Sequence, residues 1–550
     1  MLQKLTFIIL AVVAPSILAQ PSQRDCSGSC VNDPANPVLD LGYARYRAST
    51  AFADINVLAY YGIPFAAPPT GSNRWHAPVP IERQNHFGSS SIQDASRKGP
   101  VCVQGIPAWE RLLNSTRQAE EMGQEDCLIA DVLVPTNPKS ERLPIVVGIH
   151  GGGYTQGSSN DGQLIIAAAK GGLIWVGIQY RLGAYGFLSS AEIKENGVAN
   201  AGLLDQRLAI EWAQRHAHAF GGDPGKITLW GWSSGGGSVT AQLILYGGDP
   251  NPPFRAAISE YPWWQSFKND SALEAQYRNL LDAAHCNSLD CLRNLDEHAL
   301  KLATESTYAR AYLEQPTGTY AYGDFYYGPS VDGHVIHDLP SNEFKQGHFA
   351  KVALLTDHDT YEGLIFSNLT QTMWSSEMAD LRKLWPSAKD SFFDRLYELY
   401  PASSFNSTLF QRQQIFGDSI IECPTYYIAS AFSDWKLPTY KMIFGAGTQL
   451  HAATLEFFFI PDSNISNTTL GNIMKDYFTS FIVNLDPNLE SYSGVPRPYW
   501  PQYNPYGPAN QTDVNWAVMN INATMMSVVR DSDVNGRCDF FQGQGHVLRS

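Results

Sequence analysis

Positive charge is scarce in this 550-residue chain. It carries 38 Lys and Arg against 53 Asp and Glu, a formal net charge of −15. Such a surface repels phosphate backbones, so nucleic acid is excluded as a natural partner. Long apolar runs are also missing. The longest lies at the extreme N-terminus, Leu5 to Val13, well short of the ~20 residues a membrane-spanning helix needs, and integral membrane association is not expected. Cysteine is sparse, eight residues with no C-x-x-C pair, which removes the usual zinc spacings. His216-Ala-His218 has no partner cluster near it in sequence, so no metal is expected. No internal repeat, heptad or low-complexity segment stands out.

What is present begins with an export signal. Residues 1–19, MLQKLTFIILAVVAPSILA, place Lys4 before an apolar core and end on the small Ala19, the pattern of a cleaved secretory leader. Residues 20–37 are rich in Pro, Ser, Asn and Asp and read as a loose arm in which Cys26 and Cys30 can close a small loop. A single domain is expected over 38–550. An even number of cysteines suits an extracellular, oxidising compartment. So do the glycosylation sequons at Asn114, Asn269, Asn368, Asn406, Asn464, Asn467, Asn510 and Asn522.

Short apolar runs alternate with helical patterns. LPIVVGI at 143–149, LIWVGIQ at 173–179, KITLW at 226–230, VALLT at 352–356 and LEFFFI at 455–460 read as buried strands. Leu204, Leu208 and Trp212 fall on one face of a helix over 203–215. The fold class expected is α/β, a large and mostly parallel sheet covered by helices on both faces. Ligands of such sheets bind at the carboxyl ends of the strands.

Two motifs carry chemistry there. In Gly231-Trp232-Ser233-Ser234-Gly235 a serine sits between glycines at a strand-to-helix turn. This G-x-S-x-G elbow is tight enough to admit only small residues two positions to either side, and it lifts the hydroxyl above the sheet. His150-Gly151-Gly152-Gly153 follows another buried strand, and its glycines let backbone amides approach an oxyanion with no side chain in the way. Gly152 and Gly153, with the amide of Ser234, are the candidate donors. A serine hydroxyl also needs a base, and an acid to orient that base.

The ordered set GIPFAAPP (62–69), EDCL (125–128), HGGGY (150–154), YRLGAYGFL (180–188), NAGLLDQRLAIEW (200–212) and FGGDPGKITLWGWSSGG (220–236) resembles the type-B carboxylesterase and lipase family, the cholinesterase-like α/β-hydrolases, and in particular its secreted fungal members. Weaker matches are SVDG (330–333), LDPN (485–488) and WPQY (500–503). The resemblance implies ester hydrolysis by a Ser-Glu-His triad, on small-molecule or lipid esters and without a cofactor. It places the acid at Glu362 in LLTDHDTYEGLIF, with Asp357 and Asp359 as rivals, and the base at His451 in FGAGTQLHAATLEFFF. It pairs Cys102 with Cys127, Cys286 with Cys291 and Cys423 with Cys538, and joins Arg74 to Glu125 in a buried ion pair. Two positions depart from the family: Trp232 stands where relatives often have Glu, and Thr454 where they carry an acid. The first argues against choline esters. Trp232, Trp263 and Trp264 are candidates for lining the substrate pocket. Activity should fall below the ordinary imidazole range, near ~6.5. The class alternatives are a triacylglycerol lipase and a non-catalytic adhesion protein on the same scaffold. Oligomeric state is left open.

Overall fold

The structure is a computed structural model that describes residues 37–84, 91–111, 122–313, 320–370, 373–506 and 514–550. The expected leader, the arm up to Asn36 with Cys26 and Cys30, and the sequons Asn114 and Asn510 lie outside the described residues.

One 13-stranded sheet forms the centre. Its strands are β1 (Val38–Asp40), β2 (Arg45–Phe52), β3 (Val57–Pro64), β4 (Ile92–Ala95), β5 (Ile129–Pro135), β6 (Leu143–Ile149), β7 (Ile174–Ile178), β8 (Gly222–Trp232), β9 (Ala256–Glu260), β10 (Ala353–Asp359), β11 (Thr439–Gly445), β12 (Ala517–Asn522) and β13 (Met526–Arg530). Their spatial order is β1-β2-β3-β5-β7-β6-β8-β9-β10-β11-β12-β13, with β4 paired to β2 off this path. From β7 to β12 every neighbour is parallel, and the antiparallel strands stand at the two ends. The parallel strands β6, β7, β9 and β10 are buried along their whole length, which is why β6 and β7 read as unbroken apolar runs.

Two strands were disguised in the sequence. β11 carries Lys441 at its middle, fully buried, with its ammonium on Asp531 at 2.7 Å and Asp533 at 2.5 Å. Paired in this way a cation is tolerated inside a sheet. β10 runs past the expected end at Thr356 through Asp357, His358 and Asp359, all buried. In the other direction, LEFFFI is not a strand: Leu455–Phe459 is a short helix. Its phenylalanines pack on Trp230, Trp175 and Phe478. A short apolar run fits either a buried strand or a buried helix, and periodicity does not separate them.

The three expected disulfides are present, with Cα–Cα spans of 5.0, 5.5 and 5.1 Å. The Arg74–Glu125 pair is buried and bidentate, with Nε on Oε2 at 2.7 Å and Nη2 on Oε1 at 2.6 Å. The Arg74 Nη1 also donates to the carbonyls of Leu292, Arg293 and Leu295, tying the segment after the Cys286–Cys291 loop to the start of the domain. A second buried pair, Arg181 with Asp205, anchors the helix Ala201–His216. On that helix Trp212 is fully buried, Leu208 is buried and Leu204 half-buried, and His216 at its end meets Glu82 at 2.9 Å. Asn269, Asn406, Asn464 and Asn467 are exposed, and Asn368 and Asn522 half-buried. No helix among the described residues is long and apolar enough to cross a membrane.

Candidate active site

Strand β8 ends at Trp232, and the helix Ser234–Ile244 starts two residues later. Between them Ser233 has φ 57° and ψ −126°, a conformation that L residues adopt only when their surroundings enforce it. The two glycines of the elbow show how it is enforced. A Cβ on Gly231 would lie 2.3 Å from the Gly235 carbonyl oxygen, and one on Gly235 would lie 2.1 Å from the Ile149 carbonyl oxygen. The helix behind the turn is fixed by polar bridges from its neighbour: Gln206 donates to the Ser238 hydroxyl at 2.9 Å, and Gln242 donates to the Leu203 carbonyl at 2.9 Å. Ser233 N–H donates to the carbonyl of Glu260, at the end of the adjacent β9. Its own carbonyl accepts from Trp263 N–H at 3.1 Å.

Glu362 lies three residues beyond β10, and His451 six residues beyond β11. Glu362 is fully buried, and its two oxygens have separate tasks. Oε1 accepts the Asp359 amide at 2.5 Å, and Oε2 meets His451 Nδ1 at 2.5 Å. The bond at Nδ1 leaves Nε2 unengaged; it is buried and makes no hydrogen bond among the described residues. Such contacts commonly tighten only around a substrate. Around the ring stand Tyr261, Phe366 and Trp263, with centroids 4.9, 5.0 and 6.2 Å from the imidazole. Trp263 therefore joins Ser233, through its amide, to His451, through its ring. The rival acids do not touch the histidine. Asp359 accepts the Ala453 amide at 3.1 Å, and Asp357 the Tyr261 amide at 3.2 Å.

In the glycine loop Gly152 has φ 111° and Gly153 φ 62°. Gly151 lies against the serine: a Cβ there would stand 2.9 Å from Ser233 Cβ. None of the amides of Gly152, Gly153 and Ser234 donates a hydrogen bond among the described residues, and the Ser234 amide stands at a helix N-terminus, where anions are favoured. His150 is stacked on Tyr180 at 4.4 Å, with Nδ1 on the Gly151 carbonyl at 2.9 Å. Burial pushes it down to about 4, so it is a neutral structural ring.

The three candidate tryptophans separate. Trp263 packs at the site among Phe325, Phe366 and Phe416, with centroids 5.4, 4.5 and 5.8 Å away. Trp232 lies against Phe459 at 5.2 Å, and its Cδ1 would be 3.3 Å from a Cβ on Gly151. Trp264 faces elsewhere; its indole donates to Thr240 at 3.0 Å and stacks on Phe344 at 5.7 Å. Sequence reading missed Glu260. Its carboxyl is fully buried and accepts from Trp230 Nε1 at 2.5 Å and from the Thr454 hydroxyl at 2.8 Å, so Thr454, where an acid was expected, is joined to one. Phe325, Phe366 and Phe416 were missed as well. An acid closing a buried strand was a usable signal for Glu260; nothing local marked the phenylalanines. Among the described residues no group of His, Cys, Asp and Glu is arranged to hold a metal.

A strained serine at a strand-to-helix turn, above a parallel sheet, defines the α/β-hydrolase fold. The chain belongs to the carboxylesterase family, whose profile matches residues 45–541. It is 29% identical to the carboxylesterase patB of Aspergillus clavatus, over 92% of this chain and 96% of that one. It is 30% identical to secreted lipase 1 of Botryotinia fuckeliana, over 82% and 85% of the two chains. The crystal structure of EstA from Aspergillus niger superposes with a TM-score of 0.80 at 25% identity, covering 94% of this chain and all of that one.

Proposed function

We propose that the protein is a secreted carboxylesterase that works through an acyl-enzyme on Ser233. The observation carrying this reading is the buried Glu362–His451 bond, which orients an imidazole with a free Nε2 in the neighbourhood of a strained serine. Neutral His451 takes the Ser233 proton at Nε2 as Oγ attacks the ester carbonyl. The oxyanion is met by the amides of Gly152, Gly153 and Ser234. His451 returns the proton to the departing alkoxide and leaves the acyl group on Ser233. Water then gives its proton to the same nitrogen and attacks the acyl carbonyl. The acid departs as Ser233 recovers its proton. Glu362 holds the tautomer and stabilises the imidazolium.

The acyl side of the site is walled by Trp263, Phe325, Phe366 and Phe416, which suits apolar and aromatic acyl groups. Trp232 beside the serine offers no charge to a cationic alcohol. Export rests on the leader at 1–19, with cleavage after Ala19 and glycans on exposed sequons.

Ser233→Ala should abolish hydrolysis of p-nitrophenyl esters and labelling by a fluorophosphonate, while circular dichroism and secretion stay as in the wild type. Persistent turnover in that variant refutes the triad. A wild-type protein that takes no label is instead a binding protein on this scaffold. A rate that jumps when a triacylglycerol is emulsified makes it a lipase.

A further inference from the structure

Three carboxyl groups converge on the short loop that carries His451. Glu362 holds the imidazole itself at Nδ1. Asp359 accepts the amide of Ala453. Glu260, from the end of β9, accepts the hydroxyl of Thr454 at 2.8 Å. The loop needs holding, because Gln449 and Ala452, on either side of the histidine, have φ 62° and 73°, values that non-glycine residues keep only under external constraint. Glu260 also reaches the elbow. Its carbonyl accepts the Ser233 amide at 3.2 Å, and its carboxyl accepts the indole of Trp230, three residues before the serine. The neighbouring Tyr261 lays its ring edge-on to the imidazole, and the Thr454 hydroxyl reaches the Tyr261 hydroxyl at 3.2 Å.

We propose that Glu260 is a second carboxyl serving His451: a positioning residue that links the histidine loop to the serine elbow and sets a buried acid beside the loop that carries the imidazole. The proposal rests on the Ser233–His451–Glu362 reading given above.

The groups facing Glu260 decide when that acid is charged. Across β10 stand Asp357 and Asp359, and beyond them Glu362; Trp230, Thr454 and Tyr261 complete the surroundings, and His451 lies behind Tyr261. No Lys or Arg pairs with these carboxyls among the described residues. Burial, and then the charge of Glu260, pushes Asp357 far above the ordinary carboxyl range. Burial, and then Glu362, does the same for Asp359. Burial pushes Glu260 up to about 7, against the hydrogen bonds from Trp230 and Thr454. Glu260 therefore carries its charge only above this range, and the imidazolium of the transition state gains from that charge only there.

The test is Glu260→Gln. The amide keeps both partners, its oxygen on the Trp230 indole and its nitrogen on the Thr454 hydroxyl, so only the charge is removed. At pH 8.5 kcat on a p-nitrophenyl ester should fall about tenfold. At pH 5.5 the wild type and the variant should be close, with KM within twofold at both values. A wild-type to variant kcat ratio that is the same at the two pH values overturns the proposal, because a merely structural defect acts equally at both. Should Glu260→Gln fail to fold, Thr454→Val and Thr454→Ser decide: Val should lose activity that Ser retains, and equal activity of the two overturns it. If Ser233→Ala keeps turnover, the triad itself has failed. If Ser233→Ala is dead and the Glu260→Gln ratio is flat, only the role of Glu260 has failed.

Discussion

Replacing Glu362 by Gln changes one atom in a fully buried side chain, so the structure fixes the consequence closely. The carboxylate accepts two hydrogen bonds at 2.5 Å, from the Asp359 amide and from His451 Nδ1. An amide has one accepting oxygen, so the substituted side chain can serve one donor only. With its oxygen on the Asp359 amide, its NH2 faces Nδ1 and forces the proton onto Nε2, the nitrogen that receives it from Ser233 in the proposed mechanism. With its oxygen on Nδ1, the NH2 opposes the Asp359 amide, and the imidazolium still loses its counter-charge. Either arrangement removes transition-state stabilisation and leaves substrate binding alone. The expected loss is about 10³–10⁴ in kcat, or roughly 4–5.5 kcal/mol, with KM little changed. Folding should survive. The cost is one buried donor left unsatisfied, about 1–3 kcal/mol. The assay is steady-state hydrolysis of a p-nitrophenyl ester, with fluorophosphonate labelling rates and a thermal melt on the same samples. A variant that melts like the wild type and retains more than a tenth of kcat would refute the account of Glu362.

Gly153→Ala would put a Cβ 2.0–2.3 Å from three ring atoms of Phe325, so the ring and the loop must both shift; kcat should fall about 10²-fold, as for loss of one oxyanion donor, and Gly153→Ala with Phe325→Ala should recover part of it. Trp263→Ala opens the wall among Phe325, Phe366 and Phe416; kcat/KM for an octanoyl ester relative to an acetyl ester should rise about tenfold, and a ratio unchanged within twofold rejects that wall as the acyl site. Stability should decline from pH 5.5 to 8.5. Burial raises Glu260 and Glu377 each to about 7, and it raises Asp357, Asp359 and Glu422 strongly. Groups with raised folded values stabilise fully below their unfolded values and lose that contribution as pH rises through the folded ones. Burial pushes Glu82 up as well, but its bonds to His216 and Arg215 prevail and hold it down to about 2, so its contribution persists until strong acid. A melting temperature that is flat or rising from pH 5.5 to 8.5 contradicts this account of the buried carboxyls.

The sequence alone determined whatever is set by a few adjacent residues. Gly231, Ser233 and Gly235 are legible because a turn that tight admits no side chain at two of those positions, and Gly152 and Gly153 because a backbone at positive φ favours glycine. Strands β6 and β7 are legible because, covered on both faces, they carry apolar residues throughout. Only the tertiary structure decided which acid meets His451. Asp357 and Asp359 project from one side of β10 toward Tyr261 and Ala453, His358 turns the other way to Asp533, and Glu362, just past the strand, is the one whose carboxyl reaches the imidazole. It also decided that Trp263 faces the histidine while its neighbour Trp264 does not, and that Lys441 lies inside a strand with two aspartates some 90 residues away. Which way a side chain points depends on the pleat of its strand and on partners brought together by folding, and neither is written in the residues beside it.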